Sequence, residues 1–268
     1  MLIYPQLSTG ATAQYPVSKS VSQRTIQSVM EDGTSISSPD QSARFLTWRI
    51  PYEDLSTTEA ETLSRFFLSV QGSLLPFLFL DPMSNLLSWS EDYTQSAWGT
   101  EGFSFQTGIG DPFGGSHAMR AHNATAHDQS ISQATDIPGC ALTCFSIYLR
   151  ASASTTAQLN RTAGSLSQST SLTVTPTWQR FTIAGSFPSS VEPSRYAVIA
   201  SGGASLDVFG AQVDSQSVAA AYVSTAQACG VHTNARFDMP RLEMIASGPN
   251  RNACVIAVRS NIPRGDWA

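Results

Sequence analysis

The side chains of this sequence that could do chemistry are few and widely spread. His117, His122 and His127 recur every five residues. On a strand that spacing puts His117 and His122 on opposite faces, so a shared metal is not expected and they read as exposed or hydrogen-bonded histidines. Cys140 and Cys144 lack the second pair or nearby His that a four-ligand zinc site needs; with Cys229 and Cys254 they read as buried thiols. Glu91 and Asp92 could serve glycoside hydrolysis only if a further acid faced them about 5 to 9 Å away across a cleft. No Gly-x-Ser-x-Gly elbow occurs. Thr107-Gly108-Ile109-Gly110, followed by Asp111-Pro112-Phe113-Gly114-Gly115, has its third glycine misplaced for a phosphate cradle and no helix behind it, and reads as a loop. The chain is therefore expected not to be an enzyme.

Binding chemistry has better candidates. A sugar is held by aromatic rings against its apolar face and by planar polar groups bonded to its hydroxyls. Trp89, Tyr93, Trp98, Arg120, Tyr148 and Arg150 are of the right types. The competing reading is core packing: Trp89 and Trp178 each lie in a strand or strand-entry context, where an aromatic ring more often points inward.

Composition sets the frame for these residues. The chain has 268 residues, room for one large domain or two of roughly 100 to 150 residues. Only 13% are charged while 41% are hydrophobic, a balance that suits β-rich sandwiches with polar, uncharged surfaces. The net charge is −5 and the basic residues are Lys19 and scattered arginines, so no nucleic-acid footprint is present. No apolar run reaches the roughly 18 residues that span a bilayer, and Met1 to Ala13 lack the pattern of a signal peptide; membrane insertion is not expected and assembly in a cytosol is.

Taken in order, Tyr4 to Pro16 is irregular and reads as an arm or edge segment rather than core. Val17 to Ile26 reads as a strand, and Asp32-Gly33 falls where a hairpin turn belongs, followed by a short returning strand. Arg44 to Tyr52 alternates, with Leu46, Trp48, Ile50 and Tyr52 on one face. Ser56-Thr57-Thr58-Glu59 is a capping box, and Ala60, Leu63, Phe67 and Val70 behind it predict an amphipathic helix that Gly72 stops. Leu74 to Leu80 is an apolar run that predicts a buried strand.

This order of elements, with Phe66-Phe67, Gly72-Ser73 and Phe77-Leu78-Phe79-Leu80-Asp81-Pro82, resembles the distal tail proteins of siphophages, the minor tail protein M group of lambda-like phages among them. The resemblance implies two finishing antiparallel strands, matched here by Ala235 to Ala246 and Asn252 to Ser260 around the turn Ser247 to Arg251. It covers about 80 residues at the start and about 35 at the end, and implies a homo-oligomeric ring, six-fold like the family, that joins the tail tube protein to the baseplate hub protein beside the tape measure protein.

Everything between follows another pattern. Asn85 to Tyr93 opens it as a strand, and short strands are predicted at Phe103 to Gln106, Ala118 to His122, Ser130 to Ala134, Cys144 to Ala151, Ala157 to Asn160, Ser171 to Val174, Gln179 to Gly185, Tyr196 to Ala200 and Ser205 to Gln212. Phe145 to Arg150, Thr177 to Phe181, Phe209 to Val213 and Ala221 to Thr225 resemble, in that order, the markers of the carbohydrate-binding-module type of jelly roll found in phage tail and head-fibre proteins. The resemblance implies adhesion to a host-surface glycan. It also implies room for a structural calcium through Asp207 or Asp214 with backbone carbonyls, although the acid spacing is not that of an EF-hand.

The expected fold class is mainly β: an α+β scaffold, a split β-sandwich with one amphipathic helix, into which a β-sandwich or jelly-roll domain is inserted. Residues 1–84 and 229–268 form the ring-forming domain and 85–228 the insert. The expected protein is a virion structural component of the tail tip with an outward glycan-binding module and no cofactor; the alternative is a stand-alone carbohydrate-binding or glycan-hydrolysing protein. The C-terminal segment Asn261 to Ala268 is left unassigned, its Trp267 being of a type that could anchor a neighbour.

Overall fold

The computed structural model describes residues 1–262, except the side chains of Gln41 and Ser42. In chain order its elements are β1 (Ser18–Val29), β2 (Ser35–Leu55), α1 (Thr57–Ser69), β3 (Phe77–Leu80), β4 (Trp98–Gly99), β5 (Phe103–Ile109), β6 (Ala118–Asn123), β7 (Gln129–Pro138), β8 (Thr143–Arg150), β9 (Thr155–Ala163), β10 (Leu166–Val174), β11 (Gln179–Gly185), β12 (Pro193–Ala200), β13 (Ser205–Asp214), β14 (Val231–Phe237), β15 (Ile245–Gly248) and β16 (Arg251–Asn261). The fold is mainly β, with one helix among the described residues. Its contacts divide into two compact units, the first made of Met1–Ser8, Thr12–Met83 and the chain from His232 onward, the second of Thr9–Ala11 and Ser84–Val231.

In the first unit one sheet runs in the order β1-β2-β16-β14-β3, with β15 paired to β16. Met30 N–H reaches Thr34 O at 2.8 Å and Gly33, at φ 86°, closes the turn between β1 and β2, because a residue with no Cβ adopts positive φ without strain. The Ser56 hydroxyl accepts the Glu59 amide while the Glu59 carboxylate accepts the Ser56 amide, so the capping box starts α1 as the sequence predicts. Leu46, Trp48, Ile50 and Tyr52 are all buried and join Leu63, Val70, Phe77, Phe79, Phe237, Ile256 and Val258 in one core.

Several expectations for this unit are corrected. The Tyr4 to Pro16 segment is no peripheral arm: Tyr4 is 2% exposed, its ring lies 5.4 Å from Phe79 and 5.8 Å from Phe66, and its hydroxyl is 3.0 Å from that of Tyr52. The segment looks irregular because Ile3 makes a single parallel bridge to Leu78, too short for any period to show. The strand returning from the hairpin is long, since β2 absorbs both the expected short strand and the alternating one, with a register shift opposite Gln23 and Thr25. The apolar run shrinks to β3, with Leu74 and Leu75 exposed before it. The expected Ala235 to Ala246 strand is two, β14 and β15, separated by Asp238 to Met244. Trp267 lies outside the described residues.

The second unit is a sandwich of two five-stranded antiparallel sheets, β10-β9-β12-β7-β4 and β11-β8-β13-β6-β5. Ile131, Leu159, Tyr196 and Val198 from the first sheet and Phe145, Ile147, Leu149 and Val208 from the second are buried, and the Phe145 and Tyr196 rings meet at 5.7 Å. All nine strands predicted after Phe103 are present, and β4 is added. Asn85 to Tyr93 is a series of turns instead of a strand, and Thr107 to Ile109 belong to β5 rather than to a loop. No helix among the described residues is long and apolar enough to cross a membrane.

Candidate ligand-binding face

Alternation on β8 sends Phe145, Ile147 and Leu149 into the sandwich and leaves Ser146, Tyr148 and Arg150 on the other face of the sheet. Register places partners beside them: Asp207 on β13 opposite both Arg150 and Arg120, Phe209 opposite Tyr148, and Arg180 on β11 opposite Tyr148. A bulge then shifts β13 so that Gln212 faces Ser146. Gly210 carries it at φ 63°, and an added Cβ would meet the Tyr222 ring at 3.1 Å.

The centre of this face is a carboxylate between two guanidiniums. Arg120 Nε donates to Asp207 Oδ1 at 2.7 Å, and Arg150 donates to Oδ2 through Nη2 at 2.8 Å and Nε at 3.0 Å. The Asp207 side chain is 4% exposed, whereas Arg120 and Arg150 are 42% and 29% exposed. The hydrogen bonds and charge of Asp207 raise the pKa of Arg120. The Arg150 guanidinium also lies 4.7 Å above the ring of Trp178, whose Nε1 donates to Gly110 O.

An aromatic cluster adjoins this row. Tyr148 meets Phe113 at 5.6 Å, and Phe209 meets Tyr222 at 5.2 Å. Arg180 sits 5.3 Å from the Tyr148 ring and is tied to Ala220 O and Ser146 Oγ. Phe113 stays 65% exposed, held by a turn in which the Asp111 carboxylate accepts the amides of Phe113, Gly115 and His117. Tyr222 donates to Glu91, and burial raises its pKa, so it stays a neutral phenol. Such a surface offers flat apolar faces beside planar N–H donors, the combination that holds a sugar ring.

The six residues picked from sequence fall into two groups. Arg120, Tyr148 and Arg150 come together on this face. Trp89, Tyr93 and Trp98 form a separate cluster: Tyr93 and Trp98 pack at 4.9 Å, 0% and 5% exposed, and Trp98 Nε1 donates to Trp89 O. Tyr93 and Trp98 are therefore corrected to core residues with no face to offer a ligand; Trp89 is half-buried at φ 51°. Trp178, expected in the core, is instead half-exposed. Phe113 was hidden in a segment that reads as a loop, and nothing in its local sequence marks it.

Calcium does not fit either named acid. Both oxygens of Asp207 accept arginine N–H groups, and a cation would face two guanidinium charges there. Asp214 accepts Gln212 Nε2 on both oxygens and the Ala220 amide, and burial raises its pKa, which disfavours the charged form that calcium requires. Among the described residues no group of three or more His, Cys, Asp or Glu is placed to hold a metal. His117 lies 3.7 Å from Glu91 and His122 bonds Ser205, apart from one another. None of the four cysteines is in a disulfide; burial lifts the Cys144 and Cys254 thiols to about 11. The other sheet carries a depression of about 260 Å³ lined by Asp128, Thr156, Gln158, Ser171, Ile199 and Ser201, with no aromatic ring.

The sequence matches no protein-family model and no curated protein. Solved structures with a similar course of chain include a CBM61 module in complex with β-1,4-galactotriose, at 12% identity and a TM-score of 0.38 over 48% of this chain and 97% of that one. The CBM22-1 xylan-binding domain from Paenibacillus barcinonensis Xyn10C is 17% identical with a TM-score of 0.39, over 53% of this chain and 99% of its own. The enzymatically active domain of bacteriophage CBA120 tailspike protein 4 is 15% identical with a TM-score of 0.39, over 51% of this chain but only 22% of its own. At such identities and TM-scores these likenesses assign neither ligand nor partner to this chain.

Proposed function

We propose that this chain is a structural protein of a phage tail tip, of the distal tail type, that carries its second unit as a glycan-binding module. The observation that supports binding is the row Arg120–Asp207–Arg150 beside Tyr148, Phe113 and Trp178 on one face of one sheet. Asp207 fixes the two guanidinium planes, so their outward N–H groups meet a sugar hydroxyl without losing further side-chain freedom. The rings supply the stacking surface. The reading contains no catalytic step.

The tail-tip half rests on the element order β1, β2, α1, β3 and then β14 to β16, which resembles the distal tail proteins. In this reading the first unit forms a homo-oligomeric, six-fold ring between the tail tube protein and the baseplate hub protein, in contact with the tape measure protein, and is assembled in the host cytoplasm.

The two halves have separate tests. The full chain, applied to a glycan array, is expected to bind a subset of glycans, and Tyr148→Ala or Trp178→Ala to lose that binding while still folding. Uniformly blank binding overturns the adhesive role. Imaging of the purified protein and of particles that contain it is expected to show a closed ring; a monomer at high concentration and in particles overturns the tail-tip role.

A further inference from the structure

Asp207 occupies the same edge of both arginines that flank it. Nε and Nη2 of Arg120 donate to its Oδ1 and Oδ2 at 2.7 and 3.2 Å, while Nε and Nη2 of Arg150 both donate to Oδ2, at 3.0 and 2.8 Å. A guanidinium is a planar fork of five N–H groups. With the Nε–Nη2 edge filled, each arginine keeps the edge between Nη1 and Nη2, and Nη1 of neither donates to a described residue. Both side chains reach solvent, at 42% and 29% exposure.

One carboxylate between two guanidiniums leaves the row with a positive charge in excess. Asp207 is 4% exposed, so what the row presents outward is N–H donors. Among the described residues it is the one acid paired with either arginine. The acids of the adjoining turns have donors of their own: Asp111 accepts three backbone amides, and Glu91 accepts the Tyr222 hydroxyl. Arg180 is engaged with Ala220 O and Ser146 Oγ and adds no free fork. Trp178, 4.7 Å from the Arg150 guanidinium, backs it with an aromatic ring.

We infer, on the glycan-binding reading above, that the ligand of this face is an acidic glycan, whose uronic-acid carboxylate takes the Nη1–Nη2 edge of Arg150. A neutral hydroxyl offers no planar pair of oxygens, whereas a carboxylate accepts two parallel N–H groups in the plane of the fork and balances the excess charge. The stacking surface stands at the right distance for it. Tyr148 and Arg150 are two residues apart on one face of β8, about 7 Å along the strand. A sugar ring against Tyr148 therefore brings a carboxylate carried on that ring within reach of Arg150.

The test presents the full chain with pairs of glycans that are identical except that the uronic-acid carboxylates of one are reduced to primary alcohols. The acidic form is expected to bind at least about fivefold more tightly than its reduced form, and to lose affinity as sodium chloride is raised. Arg150→Lys keeps a positive charge without the fork and is expected to bring the ratio close to one; an unchanged ratio in the folded variant overturns the assignment. Should Arg150→Lys fail to fold, the wild-type ratio decides. Equal binding of both forms, or binding confined to neutral or sulfated glycans, overturns this inference and leaves the adhesive role standing. Binding to no glycan overturns both.

Discussion

The carbonyl oxygen of Asn85 accepts the amide N–H of Gly230 at 2.8 Å, although almost the whole second unit lies between the two in sequence. Leu86 N–H reaches Val213 O, Trp89 N–H reaches Ala226 O and Ser90 N–H reaches Thr225 O, so the entering and leaving segments run side by side. A domain whose two ends meet can be exchanged for a short turn, because closing the gap then costs little chain entropy.

Replacing Leu87 to Thr225 by a short Gly-Ser bridge is therefore expected to leave a folded first unit. The remainder should melt cooperatively and keep the circular dichroism of a β-protein with one helix. A shortened chain without a melting transition would sink the nesting.

Asn85 itself is 0% exposed and satisfies four backbone groups: its Nδ2 donates to Ala211 O and Val223 O, and its Oδ1 accepts from Leu87 and Val213. Asn85→Ala orphans all four, and at about 1 to 3 kcal/mol for each group left without water it is expected to lower stability by at least about 3 kcal/mol. Urea unfolding measures the loss.

The arginine row should respond asymmetrically. Asp207→Ala leaves two guanidiniums side by side without their buried carboxylate, an expected loss of about 2 to 4 kcal/mol, moderated because both arginines reach solvent. Arg120→Ala leaves Asp207 still paired with Arg150 and is expected to cost about 1 kcal/mol or less. Equal losses in the two variants would show that Arg120 is the essential partner.

His232 supplies a pH dependence. It packs against Trp48 with centroids 4.7 Å apart, and burial chiefly, with help from Lys19 and against the pull of Asp81, lowers its pKa to about 4. Between about 6.5, the unfolded value, and about 4 the unfolded chain therefore binds the proton more readily than the folded one. The stability tied to neutral His232 is present in full above pH 6.5 and is lost as pH falls toward 4, by on the order of 2 to 3 kcal/mol. Unfolding midpoints at pH 7 and pH 4.5 should differ more in the wild type than in His232→Gln.

Local physics made much of the chain readable. The capping box of Ser56 and Glu59 is a four-residue device, the Asp32-Gly33 turn needs only a glycine at positive φ, and the alternation from Leu46 to Tyr52 repeats every two residues. Each acts over a few residues, so each is legible in a window of that size. The same holds for the nine strands after Phe103, bounded by turn residues.

What sequence alone determined, then, was the kind and order of most elements, those with a local period or cap; which side chains meet, and whether Asn85 to Tyr93 or Thr107 to Ile109 joins a sheet, was decided by tertiary pairing. Tyr4 reads as part of an irregular arm, yet one bridge from Ile3 to Leu78 carries its ring into the core. Six binding candidates of similar type divide because β8 turns Tyr148 and Arg150 to the same face, where β6 adds Arg120, while turns pack Tyr93 on Trp98. Asp207 looked like a metal ligand until pairing of β13 with both β6 and β8 set a guanidinium on each side. Hydrogen-bond ladders between distant strands fix these encounters, and their partners lie too far along the chain for any local pattern to record.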